Sequence, residues 1–413
     1  MSAATKKTKR ALPAGWRWCR LGDVCEVNPR RPALSRADDE PTSFVPMEAV
    51  DAVFGTISDR RFRPYGEIKK GYTWFAENDV LFAKITPCMQ NGKHAVARGL
   101  SDGFGFGTTE FHVLRSGQYI TEDWIWSFLR RPEILQEATE QFTGSVGQQR
   151  LPDDYLKALE IPLPPLPEQQ RIAAILKEQM AAVDKARAAA EARLEAVKAL
   201  PAAFLREVFC CNEERHWKRH VLESVAKTCS GSTPSRSRKD YFLGSIPWVK
   251  TGELKDNTIV DTEEHVSEAA LQGTSIALLP VDTLLIAMYG QGQTRGRTAL
   301  LAKPSTTNQA CFAVLPNKNA FVPLFLQFWF MHNYSRLRTE TEARGGNQPN
   351  FNGDYLKKQL IPLPSLSDQR RLAACLREQM TAAEQARAAA EAELDAINAL
   401  PAALLRRAFN GGL

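Results

Sequence analysis

Apolar residues recur every seven positions in two long segments of the chain. The first series is Leu176, Val183, Ala190, Val197 and Phe204, and the second is Leu376, Ala383, Ala390, Ile397 and Leu404. A seven-residue period is typical of helices that wind around each other as a coiled coil. At 1.5 Å per residue, a helix of roughly 40 residues is about 60 Å long, which is too long for one compact domain. The pattern predicts two long paired helices that act as spacers.

Both helices have a recognisable start and share an internal proline. Pro-Glu at 167–168 and Ser-Asp at 367–368 combine a first-turn proline or a capping serine with an acid, and both combinations favour a helix N-terminus. Pro201 and Pro401 occupy the same place in the sequence Ala-Leu-Pro-Ala-Ala. Because proline has no backbone N–H group, we expect each helix to bend or break there.

The two helices belong to a repeat with an offset of 200 residues. Residues 154–209 return as residues 354–409 without a gap, and both copies contain Ile-Pro-Leu-Pro, at 161–164 and 361–364. A fainter repeat pairs Trp16 with Trp217. This period far exceeds the roughly 20 to 50 residues of solenoid repeats. It therefore predicts two large units that begin near residues 15 and 216.

Short apolar runs upstream of each helix predict β-strands. Residues 79–83 and 282–287 are such runs, and Gly, Pro and Asn residues separate them from their neighbours. The predicted fold class is α+β, with two mixed globular domains separated by two long antiparallel coiled-coil helices in a pseudo-twofold internal repeat. The predicted boundaries are 1–160 and 213–360 for the globular domains and 161–212 and 361–413 for the helical spacers.

Composition narrows the class of protein. The chain has 413 residues, 44% of them hydrophobic, and a formal net charge of +6, so it can build two or more cores, and a polyanion is a plausible partner. The eight cysteines form no Cys-x-x-Cys pair, and the chain begins without a signal peptide, which together favour the cytoplasm. No run of eighteen apolar residues occurs, so no membrane association is predicted.

Motifs that would carry catalysis, a cofactor or a metal are missing. The chain has no phosphate-binding G-x-x-x-x-G-K-[ST], no H-E-x-x-H, and no Asn-Pro-Pro-Tyr to hold a flipped adenine. The glycine-rich runs at 103–107 and 290–292 open no predicted helix, which argues against a nucleotide site. Cys210, Cys211, His216 and His220 match no standard zinc spacing. We therefore predict a protein without its own catalytic residues, cofactor or metal.

Polar loops in both globular domains contain the side chains that form paired hydrogen bonds with base edges. They are the Gly92 loop (residues 86–93), which Lys84 closely precedes, the Gly292 loop (289–297) and two pre-helix segments (143–150 and 344–350), whose glycines can present N–H groups to phosphate. The candidate DNA-binding residues are Lys84, Gln90, Asn91, Lys93, Gln148, Gln149, Arg150, Gln291, Gln293, Thr294, Arg295, Arg297, Asn347, Gln348 and Asn350. For any one of them, a solvated glycine-rich turn is the alternative.

The arrangement resembles the specificity subunit of type I restriction-modification systems. The resemblance rests on two dissimilar domains that each end in Ile-Pro-Leu-Pro and a helix start containing Gln and Arg, at 166–171 and 366–371. It covers nearly the whole chain. The second start has Ser-Asp at 367–368 where the first has Pro-Glu, and both pairs cap a helix.

The resemblance implies a non-catalytic reader of double-stranded DNA. Two target-recognition domains would each bind one half of a bipartite site, and the two helices would set the distance between them. Residues 169–209 and 369–409 would also dock two methyltransferase subunits, which bring S-adenosylmethionine. Restriction subunits, which need ATP and Mg²⁺, would join that complex.

Two other interpretations remain open from the sequence. The chain could be the specificity component of a related restriction system whose partner fuses methyltransferase and nuclease. It could also be a coiled-coil scaffold whose globular domains bind proteins, which predicts no salt-dependent affinity for DNA.

Overall fold

The chain forms two compact units whose boundary lies inside the long helices. The computed structural model describes residues 11–52, 55–59, 61–144, 149–211, 216–290, 292–342 and 350–413. Unit 1 comprises the chain up to Ala190 together with Glu393–Leu413, and unit 2 comprises Glu191–Ala392. Each predicted helical spacer, 161–212 and 361–413, is therefore shared between the two units.

Within its described residues, unit 1 contains ten strands and the first six helices. The strands are β1 (Arg17–Arg20), β2 (Cys25–Val27), β3 (Pro41–Val45), β4 (Arg61–Pro64), β5 (Thr73–Ala76), β6 (Val80–Ala83), β7 (His94–Val96), β8 (Phe104–Gly107), β9 (Phe111–Ser116) and β10 (Glu160–Leu163). The helices are α1 (Leu21–Val24), α2 (Tyr65–Ile68), α3 (Glu122–Leu129), α4 (Pro132–Thr139), α5 (Asp153–Ala158) and α6 (Leu166–Phe209), which continues into unit 2.

Unit 2 repeats this plan with different strand lengths. Its strands are β11 (Lys218–Val221), β12 (Thr228–Ser230), β13 (Ile246–Val249), β14 (Asn257–Ile259), β15 (His265–Val266), β16 (Leu284–Ala287), β17 (Thr298–Leu301), β18 (Thr306–Thr307), β19 (Cys311–Val314) and β20 (Leu360–Leu363). Its helices are α7 (Leu222–Val225), α8 (Glu268–Gly273), α9 (Pro323–His332), α10 (Tyr334–Glu342), α11 (Gly353–Lys357) and α12 (Leu366–Ala408), which continues into unit 1.

Each unit is built from three sheets. In unit 1 the main sheet has the order β2-β9-β6-β7, a second sheet has the order β4-β3-β8-β5, and β1 pairs with β10. In unit 2 the corresponding orders are β12-β19-β16-β17-β14 and β15-β13-β18, with β11 paired to β20. The predicted strands at 79–83 and 282–287 are confirmed as β6 and β16, which lie inside the main sheets and are fully buried. The α+β class is confirmed.

The two-stranded sheets join the beginning of each unit to the start of its long helix. Arg17 pairs with Leu163 in unit 1, and Lys218 pairs with Leu363 in unit 2. The predicted unit starts near residues 15 and 216 lie just before β1 and β11, and the domain boundaries stay predictions. The Ile-Pro-Leu-Pro motif, which the sequence repeats, supplies one strand of each pair, and its isoleucine side chain is fully buried.

The long helices pack against each other in antiparallel orientation. In unit 1, Arg187 on α6 donates a hydrogen bond to Asn398 on α12 (3.0 Å), and Arg171 donates to the Leu413 carbonyl (2.7 Å). The seven-residue seam is buried at Leu176, Val183, Ala190, Leu376, Ala383 and Ala390, and half-buried at Val197, Phe204, Ile397 and Leu404. The coiled-coil period is confirmed.

At the prolines the structure decides between the two predicted outcomes, and at one helix start it corrects the cap. Both helices continue through Pro201 and Pro401, so neither proline breaks its helix, and a bend there stays a prediction. The serine that caps α12 is Ser365, whose hydroxyl accepts a hydrogen bond from the Asp368 N–H group (3.1 Å), and not Ser367. The Ile-Pro-Leu-Pro-Ser strand end therefore leads directly into the cap.

A helix end from the other repeat closes the apolar core of each unit. Phe409, just after α12, packs against Trp124 of α3 with ring centroids 4.3 Å apart. Phe209, at the end of α6, packs against Phe325 of α9 with centroids 5.3 Å apart. The two phenylalanines are equivalent positions of the repeat, and both are buried.

A buried glutamine fixes each long helix to its own globular domain. Gln169 accepts a hydrogen bond from the Thr121 N–H group (2.9 Å) and donates to the carbonyls of Tyr119 and Pro164 (both 2.9 Å). Gln369 repeats the arrangement, with the Val322 N–H group as its donor (2.8 Å). Because these bonds reach the loop before α3 or α9, they fix the direction in which the helix leaves the domain.

Acid is expected to destabilise unit 1 through His94. This side chain is fully buried, stacks on Phe82, and accepts a hydrogen bond from the Ala83 N–H group. Burial, and then the charge of Arg130, lower its pKa to about 3. The unfolded chain binds the proton near pH 6.5, so stability is full above that pH and falls as the pH drops towards 3.

The expected loss between pH 6.5 and pH 5 is about 2 kcal/mol, from roughly 1.4 kcal/mol per pH unit for one proton. Urea unfolding of the full chain across this range measures it. His94→Phe, which keeps an aromatic ring on Phe82, should flatten the pH dependence of unit 1. An unchanged slope in that variant would assign the effect to other groups.

Candidate DNA interface

The Gly292 loop connects β16 to β17 and depends on its glycines. Gly292 has a φ of 59° and Gly296 a φ of 90°, in the left-handed region that side chains disfavour. A Cβ atom on Gly290 would lie 2.6 Å from the Thr294 Cβ atom. The loop is thus a tightly turned structure with one preferred backbone path.

Helix α10 holds this loop from one side. The Tyr334 hydroxyl donates to the Gln293 carbonyl (2.6 Å), and the Arg338 guanidinium donates to the carbonyls of Gly292 and Arg295 (both 2.9 Å). These bonds satisfy backbone acceptors that the tight turn leaves without partners in the sheet. The loop and α10 therefore form one structural piece.

The two candidate arginines of this loop are engaged inside the protein. Arg295 is only 3% exposed, pairs with Glu342 of α10 (2.6 Å), and lies over the Phe351 ring. Arg297 pairs with Asp256 and lies over the Tyr334 ring. In this conformation both arginines support the loop, and its exposed candidate is Gln293, with Thr294 half-buried.

The Gly92 loop of unit 1 divides its candidates in the same way. Lys93 donates to the carbonyls of Met47 (3.2 Å) and Val50 (2.9 Å), which connects the loop to the end of β3. Lys84 is half-buried, and burial lowers its pKa. Gln90 and Asn91 are exposed at the turn. The lysines position the loop, and the amides face solvent.

In both units, residues just before the loop bond to residues at the end of the pre-helix segment. In unit 1, Ile85 and Arg150 form a β-bridge, and the Leu151 N–H group donates to the Lys84 carbonyl (2.9 Å). In unit 2, residues 344–349 lie outside the described residues, and the Phe351 N–H group, directly after the segment, donates to the Met288 carbonyl, directly before the loop (3.0 Å). The sequence predicts each loop and each segment separately. The structure joins the chain before the loop to the chain at the end of the segment at equivalent places in both units.

The structure describes some of the remaining candidates and not others. Gln149 and Asn350 are exposed. Arg150 is exposed and forms a double hydrogen bond with Glu110 (2.7 and 3.0 Å), which lowers the pKa of that carboxyl. Gln148, Gln291, Asn347 and Gln348 lie outside the described residues.

Arginines stacked on aromatic rings form one surface cluster in each unit, and the sequence reasoning missed both clusters. On β4, an edge strand of the second sheet, Arg63 lies over the Phe44 ring (4.3 Å), and Phe62 beside it is 58% exposed. In unit 2, Arg236 lies over the rings of Phe242 (4.4 Å) and Trp248 (5.1 Å). Cationic groups held on aromatic faces are a common feature of nucleic-acid surfaces.

The sequence contains a signal for both of these arginine–aromatic clusters. Arg-Arg-Phe-Arg-Pro-Tyr at 60–65 and Arg-Ser-Arg-Lys-Asp-Tyr-Phe at 236–242 each place several cations next to aromatic residues. The two stretches have no alignment with each other, so a search guided by the repeat passes over them.

The part of the chain that the structure describes contains no group of three His, Cys, Asp or Glu side chains that could hold a metal ion. Cys210 contacts His332 instead of the histidines near it in sequence (Sγ to Nε2, 3.6 Å). Among the described helices, none has the length and apolar character needed to cross a bilayer.

Weakening the support of the Gly292 loop is expected to reduce DNA binding by unit 2. Arg338→Met removes the donor to Gly292 and Arg295 but leaves the exposed candidates unchanged. We expect a loss of about 1 to 2 kcal/mol in binding free energy, or roughly 5- to 30-fold in affinity, because the loop must be ordered on binding.

Lys318→Met is the matched control, since it removes one exposed charge from the same unit away from the loop. Fluorescence anisotropy at fixed salt compares the two variants. Equal losses of affinity would mean that only net charge matters and that α10 does not organise the site.

The comparisons with known proteins agree on one family. The family model for the type I restriction modification DNA specificity domain matches residues 13–194 and 214–389. The specificity subunit of the type I restriction enzyme EcoEI from Escherichia coli is 37% identical over 175 residues, which are 42% of this chain and 29% of that subunit. The chain thus aligns with less than a third of the length of this relative.

Two solved structures share the fold over nearly the whole chain. The HsdS subunit from Thermoanaerobacter tengcongensis has a TM-score of 0.68 at 22% identity, covering 98% of this chain and 99% of that one. A chain from a structural study of complex assembly and conformational transition in the type I R-M system has a TM-score of 0.74 at 22% identity, covering 98% and 100%. The chain belongs to the type I restriction modification DNA specificity family.

Proposed function

We propose that this chain is the DNA-reading specificity subunit of a type I restriction-modification complex. The observation that carries the proposal is a hydrogen bond at equivalent places in the two units, which joins the chain just before a glycine-containing polar loop to the residue directly after a pre-helix segment. Two such places with different side chains suit a bipartite DNA site, with one half read by each unit. Catalysis would belong to partner subunits.

The proposed mechanism assigns separate tasks to the side chains. Arginines and lysines neutralise phosphates and set the register on the duplex, which makes binding depend on salt. The exposed amides, Gln90, Asn91, Gln149, Gln293 and Asn350, contact base edges. Buried cations such as Arg295 keep the loops in shape and contact no base in this conformation.

The proposed partners follow from the same function. Exposed faces of α6 and α12 dock two methyltransferase subunits, which bind S-adenosylmethionine and take the target adenine into their own pocket. Restriction subunits that use ATP and Mg²⁺ join this assembly on the cellular DNA, in the cytoplasm. The antiparallel helix pair sets one separation between the half-sites.

The test is co-expression with candidate methyltransferase subunits, followed by mapping of methylated adenines in the host DNA. We expect a split motif of two short half-sites with a fixed gap. A stable complex that produces no new methylation would contradict the proposal and favour a protein-binding scaffold.

A further inference from the structure

A cationic cavity opens in unit 2 among β11, α9, α10 and the chain that follows α11. Its volume is about 460 Å³, within the range of small-ligand sites. The residues that line it include Phe209, Arg219, Trp329, His332, Arg336 and Lys358. Among the described residues, no carboxylate lines this cavity.

The basic side chains around the cavity come from four different elements. Arg219 lies on β11, Arg336 on α10, Lys358 directly after α11, and His332 at the end of α9. Arg336 lies over the Trp329 ring, forms an ion pair with Glu340 (2.7 Å) and donates a hydrogen bond to Gln359 (3.3 Å). Burial, and then the charges of Arg336 and Arg206, lower the pKa of His332. His332 is therefore neutral at pH 7, and the positive charges at the cavity are those of Arg219, Arg336 and Lys358.

Unit 1 has a cavity at the equivalent place, about 470 Å³ in volume, with different chemistry. Trp18 pairs with Pro162 as Arg219 pairs with Pro362, so Trp18 takes the place of Arg219. Ala158, two residues before β10, takes the place of Lys358, two residues before β20. Glu137 and Glu160 line the unit 1 cavity. Arg131 also lines it, so the two cavities differ in the positions and the balance of their charged side chains.

We propose that the unit 2 cavity binds a phosphate group. Guanidinium groups bind phosphate oxygens through paired hydrogen bonds, and the lysine adds a point charge. The phosphate could belong to a free anion or to a DNA backbone. The experiment below distinguishes these two sources. The free-anion test does not depend on the proposed DNA-reading function.

The experiment uses the full chain and inorganic phosphate. Thermal unfolding is followed in a chloride buffer at constant ionic strength while phosphate replaces chloride. We expect saturable stabilisation of the wild type, because a ligand that binds the folded state raises the unfolding temperature. Arg219→Gln with Lys358→Gln should weaken the apparent affinity about ten-fold or more, because two charged donors are lost.

Lys218→Gln with Lys357→Gln is the matched control. These lysines are the sequence neighbours of Arg219 and Lys358 but do not line the cavity, and the control removes the same charge. All four positions are half-buried or exposed, so both double variants should fold. Lys358→Glu, a charge reversal at one exposed position, is a second variant that tests the same point.

The affinity for random double-stranded DNA is measured on the same proteins. A selective loss of DNA affinity in the cavity variant supports the site and identifies the ligand as a backbone phosphate. A selective loss of phosphate stabilisation alone supports the site and identifies a free anion. If the cavity variant and the control behave alike in both measurements, the proposal is wrong.

Discussion

Lengthening both long helices by one heptad is expected to widen the gap between the two half-sites by about three base pairs. Seven residues add about 10.5 Å at 1.5 Å each, and each base pair occupies about 3.4 Å of the DNA axis. A heptad keeps the buried seam in register. The loops that contact bases are unchanged, so both half-site sequences should remain the same.

The insertion must be made at the same level of both helices. Because Arg187 is opposite Asn398, duplicating residues 184–190 in α6 and 388–394 in α12 places the two insertions side by side. Methylated-adenine mapping reads the gap directly. Duplicating one segment alone is the control, and it should destabilise the protein without producing a new defined gap. An unchanged gap with both insertions would contradict the role of the helices as spacers.

Gln169→Leu is expected to reduce the stability of unit 1 by about 3 kcal/mol or more. The substitution leaves the Thr121 N–H group and the carbonyls of Tyr119 and Pro164 without the glutamine partner, and each buried unsatisfied group costs about 1 to 3 kcal/mol. For a unit of this size, that loss lowers the unfolding temperature by roughly 6 to 12 °C. Calorimetry of the full chain measures it.

Gln170→Leu provides the control, because Gln170 is the next residue in the chain and is exposed. It makes the same chemical change and should shift the unfolding temperature little. Gln369→Leu should give the corresponding loss in unit 2. Similar results for Gln169→Leu and Gln170→Leu would show that the buried amide does not hold the helix to its domain.

The features that could be predicted from the sequence are those that repeat. The heptad positions, the 200-residue offset and the strand-forming Ile-Pro-Leu-Pro motif led to the paired helices and the two related units. The continuity of α6 through Pro201 was not predictable from local propensity. A proline removes one hydrogen bond from a long helix, and contacts of the helix on both sides of that point outweigh the loss.

The candidate site was predictable as a location but less so residue by residue. Glycines and amides indicated the loops, and in each unit the structure bonds the chain just before the loop to the residue directly after the pre-helix segment. Which cations are exposed depends on partners far away in sequence. Arg295 donates a hydrogen bond to Glu342, 47 positions later. Lys93 donates a hydrogen bond to the Val50 carbonyl, 43 positions earlier. Residue type alone cannot separate a cation that shapes a loop from one that reaches the surface.

The end of each long helix packs in the core of the unit formed by the other repeat, and this affects the order of folding during synthesis. Unit 2 receives Phe209 before its own strands are made, so its core can assemble as the ribosome completes Leu376 and the residues just after it. Unit 1 lacks Phe409 until α12 has been translated. The domain made first should therefore finish folding last, with the Phe409 contacts of Trp124 and Phe128 missing until then.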